Sequence, residues 1–242
     1  MLWAAPQAAA ADLASIRERG YLIVAVREGW RPLSFRAPSE ELVGLEIDIA
    51  HQLAAEIFDD PNAVVFEVVA NGERLPSVLS DQADVAIAGL TVTPERMRLV
   101  SFSPPYYLDG AGLLVRDPAL QSLADLRQRR IGVLQGSSTV DSIRYVLPTA
   151  DLVAFDSYQA AMASLSTGQI EAFAGDLTVL VGWQQDYPGY YLLSSVVSAE
   201  PLAVALPKGT QYTELHTLID NALTTWHQTG WLEERTTFWG LP

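Results

Sequence analysis

The chain is 242 residues long, 49% hydrophobic and 18% charged, so it can bury the core of one large domain or two small ones. Its net charge of −14 argues against nucleic acid as a partner, because phosphate binding asks for a basic face. It holds no cysteine, which excludes disulfides, thiolate catalysis and cysteine-ligated zinc, and it has no apolar run long enough for a membrane-spanning helix. Residues 1–10, alanine-rich and without a positive start, are read as a signal remnant or a disordered arm and are kept out of the fold. Tyr21–Val26 reads as a strand, Glu46–Ile57 as an amphipathic helix, Val64–Val69 as a strand and Leu75–Leu79 as a short helix. Asp84–Ala88 then enters the core as a third strand.

The stretch that follows, Gly89 to Tyr107, has the character of an anion pocket. Gly89 allows close approach to the backbone. Thr93-Pro94 reads as a helix cap followed by proline at the first helical position. Main-chain N–H groups and the helix dipole favour a negative charge there. Arg96 lies in the first turn, where a guanidinium can hold a carboxylate through two parallel bonds. On spacing alone, a solvated arginine on a surface helix fits equally well.

The second half repeats the plan, with strands at Arg130–Leu134, Leu152–Phe155 and Ile170–Ala174 and helices at Thr139–Val146 and Tyr158–Leu165. Residues 74–91, RLPSVLSDQADVAIAGLT, and 160–178, AAMASLSTGQIEAFAGDLT, both read helix, polar turn, strand, Ala-Gly and Leu-Thr. Alternating strands and helices in two similar halves indicate an α/β fold of two lobes, each a mainly parallel sheet flanked by helices. SPPYYLDGAGLLV (103–115) is read as the connection between the lobes, and Pro201–Leu206 as a further strand. A helix carrying Leu215, Leu218, Ile219 and Leu223 follows, and the aromatic ending WHQTGWLEERTTFWG packs on a lobe. If that helix returns to the first lobe, the chain crosses twice, making a hinge with a ligand cleft. The expected boundaries are 11–105 with 203–242 for the first lobe and 106–202 for the second.

Five segments carry a family resemblance: LVGLEIDIAHQLA (42–54), IAGLTVTPERMRLVSFSPPYY (87–107), IGVLQGSST (131–139), AFAGD (172–176) and ALPKG (205–209). With these in order, the chain resembles the extracytoplasmic solute-binding proteins of ABC transporters, in the polar amino-acid-binding group, family 3. The resemblance implies the type II periplasmic-binding-protein fold, closing on one L-amino acid. It implies that Gly89, Thr91, Arg96, Ser137 and Ser138 bind the ligand's α-carboxylate, and that Asp176 and the carbonyl of Ala88 bind its α-amino group. Trp30 matches an aromatic stacking position, and Thr139 is placed toward the ligand side chain. Read without the family, Asp176 is also a helix N-cap, Trp30 a core residue and the serine pair a cap for the helix starting at Thr139.

Arg27 and Arg74 are the residues from which the ligand's side chain is read. Both lie at or after the carboxyl ends of strands. The acidic-amino-acid binders of the family look like this chain there, so glutamate or aspartate is expected. Glu28 and Glu73 adjoin these arginines and offer neutralisation, which leaves a broad polar binder, taking glutamine or another neutral amino acid, as the alternative. A cationic ligand is disfavoured by the three arginines. The expected partners are a free amino acid and the membrane permease of an ABC transporter, and the expected state is a monomer in the periplasm or another extracytoplasmic space. No cofactor, metal or enzyme activity is expected, since His51, His216 and His227 are scattered and no nucleophile pattern stands out. Two rivals remain, an arogenate or prephenate dehydratase on the same fold and the ligand domain of a sensor.

Overall fold

The computed structural model of the protein describes residues 11–241, so the reading of residues 1–10 as a leader or arm lies outside the described residues. Helix α1 (Leu13–Arg19) is capped by Asp12, whose side chain accepts from the N–H of Ser15, and leads into β1 (Leu22–Val26). A small ribbon, β2 (Phe35–Arg36) with β3 (Leu42–Val43), precedes α2 (Leu45–Phe58). Then come β4 (Val64–Val68), α3 (Arg74–Leu79), β5 (Val85–Ala86), α4 (Pro94–Leu99) and β6 (Ser101–Phe102). β7 (Tyr107–Asp109) leads to β8 (Ala111–Val115), β9 (Arg130–Leu134), α5 (Thr139–Val146), β10 (Asp151–Phe155), α6 (Tyr158–Ser166), β11 (Ala172–Asp176), α7 (Leu177–Asp186) and β12 (Tyr191–Leu192). The chain ends through β13 (Glu200–Leu202), β14 (Ala205–Leu206), α8 (Thr213–Thr229) and α9 (Trp231–Phe238).

The described residues form two compact units. One runs to Tyr107 and resumes at Pro201, and the other is Leu108–Glu200. The first unit's sheet has the order β4-β1-β5-β14-β6, and the second's β10-β9-β11-β8-β12. The two are built alike. In each, a central strand has a parallel neighbour on both sides (β1 between β4 and β5, β9 between β10 and β11). Beyond β5 and β11, two further strands run antiparallel to their neighbours. β5 and β11 thus hold equivalent places, and each follows a short helix, as the repeat of 74–91 in 160–178 implies. This α/β architecture is the type II periplasmic-binding-protein fold.

Apolar side chains from alternate strand positions build a core in each unit. Leu113, Val115, Ile131, Val133, Ala172 and Ala174 meet Ile143 in the second. Ala25, Val78, Ala86, Leu90, Val100 and Ala205 meet in the first. A half-buried ion pair fastens α1 to the first sheet: Asp84, 1% exposed, accepts from the guanidinium of Arg19 and from the N–H of Ile23 at 2.7 Å. Removing one partner of such a pair strands the other in low dielectric.

Four sequence expectations shift. The strand foreseen at Asp84–Ala88 is only Val85–Ala86, because Gly89 takes a left-handed φ of 60° and turns the chain out of the ladder. The strand foreseen at Ile170–Ala174 begins at Ala172 and reaches Asp176. Pro201–Leu206 is not one strand but parts of two: β13 pairs with β7, and β14 enters the first sheet. The segment 103–115 is likewise more than a connection, since β8 is an antiparallel member of the second sheet.

Candidate functional site

In the first unit the candidate residues gather around Gly89. Its N–H donates to Oε1 of Glu46 at 2.6 Å. Its carbonyl accepts from Nη1 of Arg74 at 2.9 Å, and the same nitrogen donates to the carbonyl of Ala88, also at 2.9 Å. The indole of Trp30 lies against its Cα so closely that a Cβ there would overlap the ring. The guanidinium of Arg27 stacks on Trp30, 4.0 Å from the ring centroid. Trp30 is 2% exposed and held by a pair of main-chain bonds with Ser34, both 2.8 Å, while the Ser34 hydroxyl donates to the carbonyl of Arg27.

This arrangement changes the reading of Arg74 and Ala88. Arg74 is 7% exposed, and Nε donates to the carbonyl of Asn71 at 2.9 Å in addition to the two bonds from Nη1. The guanidinium therefore fixes the Ala88–Gly89 turn, and a lone pair of the Ala88 carbonyl assigned to an ammonium is occupied by Arg74. The acids next to these arginines in sequence have partners elsewhere. Glu28 pairs with Arg36 at 2.8 Å, and Glu73 accepts from the N–H of Ala70 at 3.2 Å.

A carboxylate on which both charges act is Glu46, which sequence reasoning missed. It is fully buried, and Oε1 accepts from Tyr106 Oη at 2.5 Å as well as from Gly89. Burial pushes its pKa up, while the bonds from Tyr106 and Gly89 and the charges of Arg27 and Arg74 act the other way. Burial also pushes the Tyr106 phenol well up, reinforced by the Glu46 charge, so Tyr106 stays a donor. A signal was available: Glu46 shares the apolar stripe of Ala50, Leu53 and Ile57, and an acid on a buried stripe asks for partners. Gly44, with φ 133° and no room for a Cβ beside the Leu33 carbonyl, lets α2 start there and delivers Glu46 beneath the turn.

Thr91 and Arg96 lie just beyond. Thr93 caps α4 as its pattern predicts, with its hydroxyl accepting from the N–H of Arg96 at 3.3 Å and proline next. Nη1 of Arg96 donates to the carbonyl of Thr91 at 2.8 Å, which aims the guanidinium along the Gly89–Thr91 turn.

In the second unit, Ser137, Ser138 and Thr139 form the turn from β9 into α5. The Ser137 hydroxyl accepts from the N–H of Thr139 at 3.2 Å. Ser138 stands at the N-cap position but makes no capping bond, and its hydroxyl donates to Glu200 at 2.6 Å. Thr139 is fully buried, and its hydroxyl accepts from that of Ser137 at 3.1 Å. Asp176, half-buried, ends β11 and accepts from Tyr158 Oη at 2.9 Å. It holds the N-cap position of α7 without a capping bond. That task falls to Asp109, which accepts from the N–H of Thr178 at 3.2 Å, from its hydroxyl at 2.7 Å and from the N–H of Gly110 at 2.8 Å.

Burial, then the charge of Asp176, push Asp109 up to about 7 from its ordinary 3.8. A folded-state value above the unfolded one means that the folded state holds the proton more tightly. The stability this provides is complete below pH 3.8 and is lost as pH rises through 7, on the order of 4 kcal/mol across that window. Asp109→Asn keeps the acceptor for both N–H groups and should flatten the decline in thermal unfolding midpoint between pH 5 and 8. An unchanged slope in the variant would assign the proton to another group.

The first unit thus carries a cationic turn at Gly89–Arg96, and the second an anionic strand end at Asp176. Residues 22–242 match the model of the bacterial extracellular solute-binding proteins, family 3. The chain belongs to this family. It is 32% identical over 202 residues to the glutamine-binding protein of Geobacillus stearothermophilus, covering 82% of this chain and 77% of that protein. It is 29% identical to the glutamate-binding protein GluB of Corynebacterium efficiens over 72% of this chain and 62% of that one. Among solved structures, an ancestral arginine-binding protein bound to glutamine superposes with a TM-score of 0.80 at 29% identity, covering 91% of this chain and 98% of that one. By their names, these relatives bind amino acids. Among the described residues of this family member, no helix is long and apolar enough to cross a membrane.

Proposed function

We propose that this family 3 protein is the substrate-binding component of an ABC amino-acid uptake system, that it takes one L-amino acid for a membrane permease, and that its ligand is glutamine. The α-carboxylate is assigned to the Gly89–Thr91 turn, Arg96 and the turn at Ser137–Ser138, and the α-amino group to Asp176. The observation that carries the side-chain reading is the commitment of Arg74 to the carbonyls of Asn71, Ala88 and Gly89, with Glu46 buried against the same turn. An acidic ligand calls for two arginines with charge to offer. Here Arg74 also holds the main chain, and Glu46 lies within electrostatic reach of both. A neutral amide side chain, which donates and accepts, suits such a wall better than a second carboxylate. The glutamine-binding relative supports this choice. Glutamate is the second reading, favoured by Arg27 stacked on Trp30 and by the glutamate-binding relative.

Calorimetric titration of the ligand-stripped protein with glutamine, glutamate, aspartate, histidine and arginine tests the proposal. Tightest binding of glutamine supports it, and tightest binding of glutamate or aspartate transfers the reading to the acidic ligand. If no amino acid binds, transport of amino acids is withdrawn, and turnover of arogenate then tests the dehydratase alternative.

A further inference from the structure

Asp176 ends β11 at the N-cap position of α7, but capping does not orient its carboxylate, since the N–H and hydroxyl of Thr178 go to Asp109. We infer that Tyr158 is a positioning residue for amino-acid binding: its phenol, held edge-on by two further aromatic rings, sets the direction in which the Asp176 carboxylate meets the ligand's ammonium. The inference rests on the assignment of Asp176 to the α-amino group proposed above and deepens it.

Three elements of the second unit meet to fix the phenol. Tyr158 opens α6, where the Ser157 side chain caps the helix by accepting from the N–H of Ala160 at 3.2 Å. Its ring stands nearly perpendicular to Phe173 of β11, centroids 5.9 Å apart, and to Trp183 of α7 at 5.7 Å. Phe173 and Trp183 stack on each other at 5.4 Å. Edge-to-face and offset-stacked rings are the preferred aromatic geometries, so the cluster resists rotation of any one member. Phe173 is fully buried and reaches beneath Gly175, where a Cβ would lie 2.9 Å from its ring. The cluster is thus built against the residue that precedes Asp176. Tyr158 is 6% exposed, and a buried phenol needs an acceptor, which Oδ2 of Asp176 supplies at 2.9 Å. A carboxylate has about four acceptor positions, so this bond orients Asp176 and leaves it able to receive an ammonium. Fixing a half-buried side chain before the ligand arrives removes the cost of ordering it from binding.

The test compares wild-type protein with Tyr158→Phe, which keeps the ring and its aromatic neighbours and removes the hydroxyl. Calorimetric titration should show binding of glutamine and of glutamate weakened alike, by about tenfold, because the ammonium is common to both. Crystal structures of the two proteins without ligand read the positioning itself: in the variant the Asp176 carboxylate should turn away from residue 158 or divide between rotamers. Thermal unfolding establishes that the variant is folded. A hydroxyl that served stability alone would lower the unfolding midpoint and leave both the affinity and the carboxylate as they are. Affinity within about twofold of wild type, a loss confined to one of the two amino acids, or an unmoved carboxylate overturns the inference. Asp176→Asn separates it from the reading beneath. Wild-type affinity in that variant withdraws the α-amino assignment and the inference together, whereas lost affinity there beside an unchanged Tyr158→Phe removes the inference alone.

Discussion

Arg96→Ala is expected to weaken binding of every amino acid the protein takes, by about 100-fold or more and to a similar degree for each. Charge-assisted hydrogen bonds contribute about 1.5–3 kcal/mol each, and a guanidinium offers a carboxylate two of them in parallel. The α-carboxylate is common to all these ligands, so the loss should not depend on the side chain. The structure supplies the pre-organisation: α4 begins with the capped Thr93-Pro94 pair, and the bond from Arg96 to the Thr91 carbonyl holds the guanidinium by the turn. Because Arg96 is only half-buried, its removal should change the unfolding free energy by about 1 kcal/mol or less. Calorimetry with glutamine and glutamate, beside a thermal melt, separates the two effects. Retained affinity, or a loss confined to acidic ligands, would take Arg96 off the α-carboxylate.

Gly89→Ala should both destabilise the protein and abolish binding. At φ 60° an alanine carries left-handed strain of about 1 kcal/mol or more. The new methyl group would also lie within the Trp30 ring, in a position that is 2% exposed and cannot yield without displacing the Arg27 guanidinium stacked on it. Overpacking of this kind costs about 1–3 kcal/mol, so a total of about 2–4 kcal/mol is expected, read as a lower unfolding midpoint. Combining Gly89→Ala with Trp30→Ala should return part of the lost stability, since the second change removes the clash. Binding should not return with it. Strictly additive losses in the double variant would contradict the steric account.

Much of this was legible in the chain. Apolar periodicity placed α2, α5 and β9 to within a residue of their ends, and the repeat of 74–91 in 160–178 foretold two sheets of like construction. Thr93-Pro94 announced α4 because caps are local chemistry, written in adjacent residues. What escaped was chemistry that depends on distant partners. The meeting of Glu46 with Gly89 and Tyr106 spans 43 and 60 residues, and that of Asp109 with Thr178 spans 69. Nothing local marks Asp109 as buried, and for Glu46 the local sign is no more than its place on the apolar stripe of α2. Arg74 shows the same dependence. Its position after a strand suggested a ligand contact, but the carbonyls it serves lie 14 and 15 residues on, exposed only once the chain turns at Gly89. Thr139 and Ser138 show a subtler limit, for a turn can be located from sequence while the direction of each hydroxyl on it cannot.

The order of strands in the first sheet bears on how the protein is made. β14, residues 205–206, sits between β5 and β6, although both were synthesised more than a hundred residues earlier. Every strand of the second sheet, β8 to β12, lies within residues 111–192 and leaves the ribosome before β14 does. The inserted unit is thus free to fold while the surrounding one still lacks a strand from the middle of its sheet, leaving the facing edges of β5 and β6 unpaired. Nascent chains commonly fold from the amino terminus onward. Here the last part of the chain completes the first unit, and until it arrives the open edges are what a holding chaperone would have to cover.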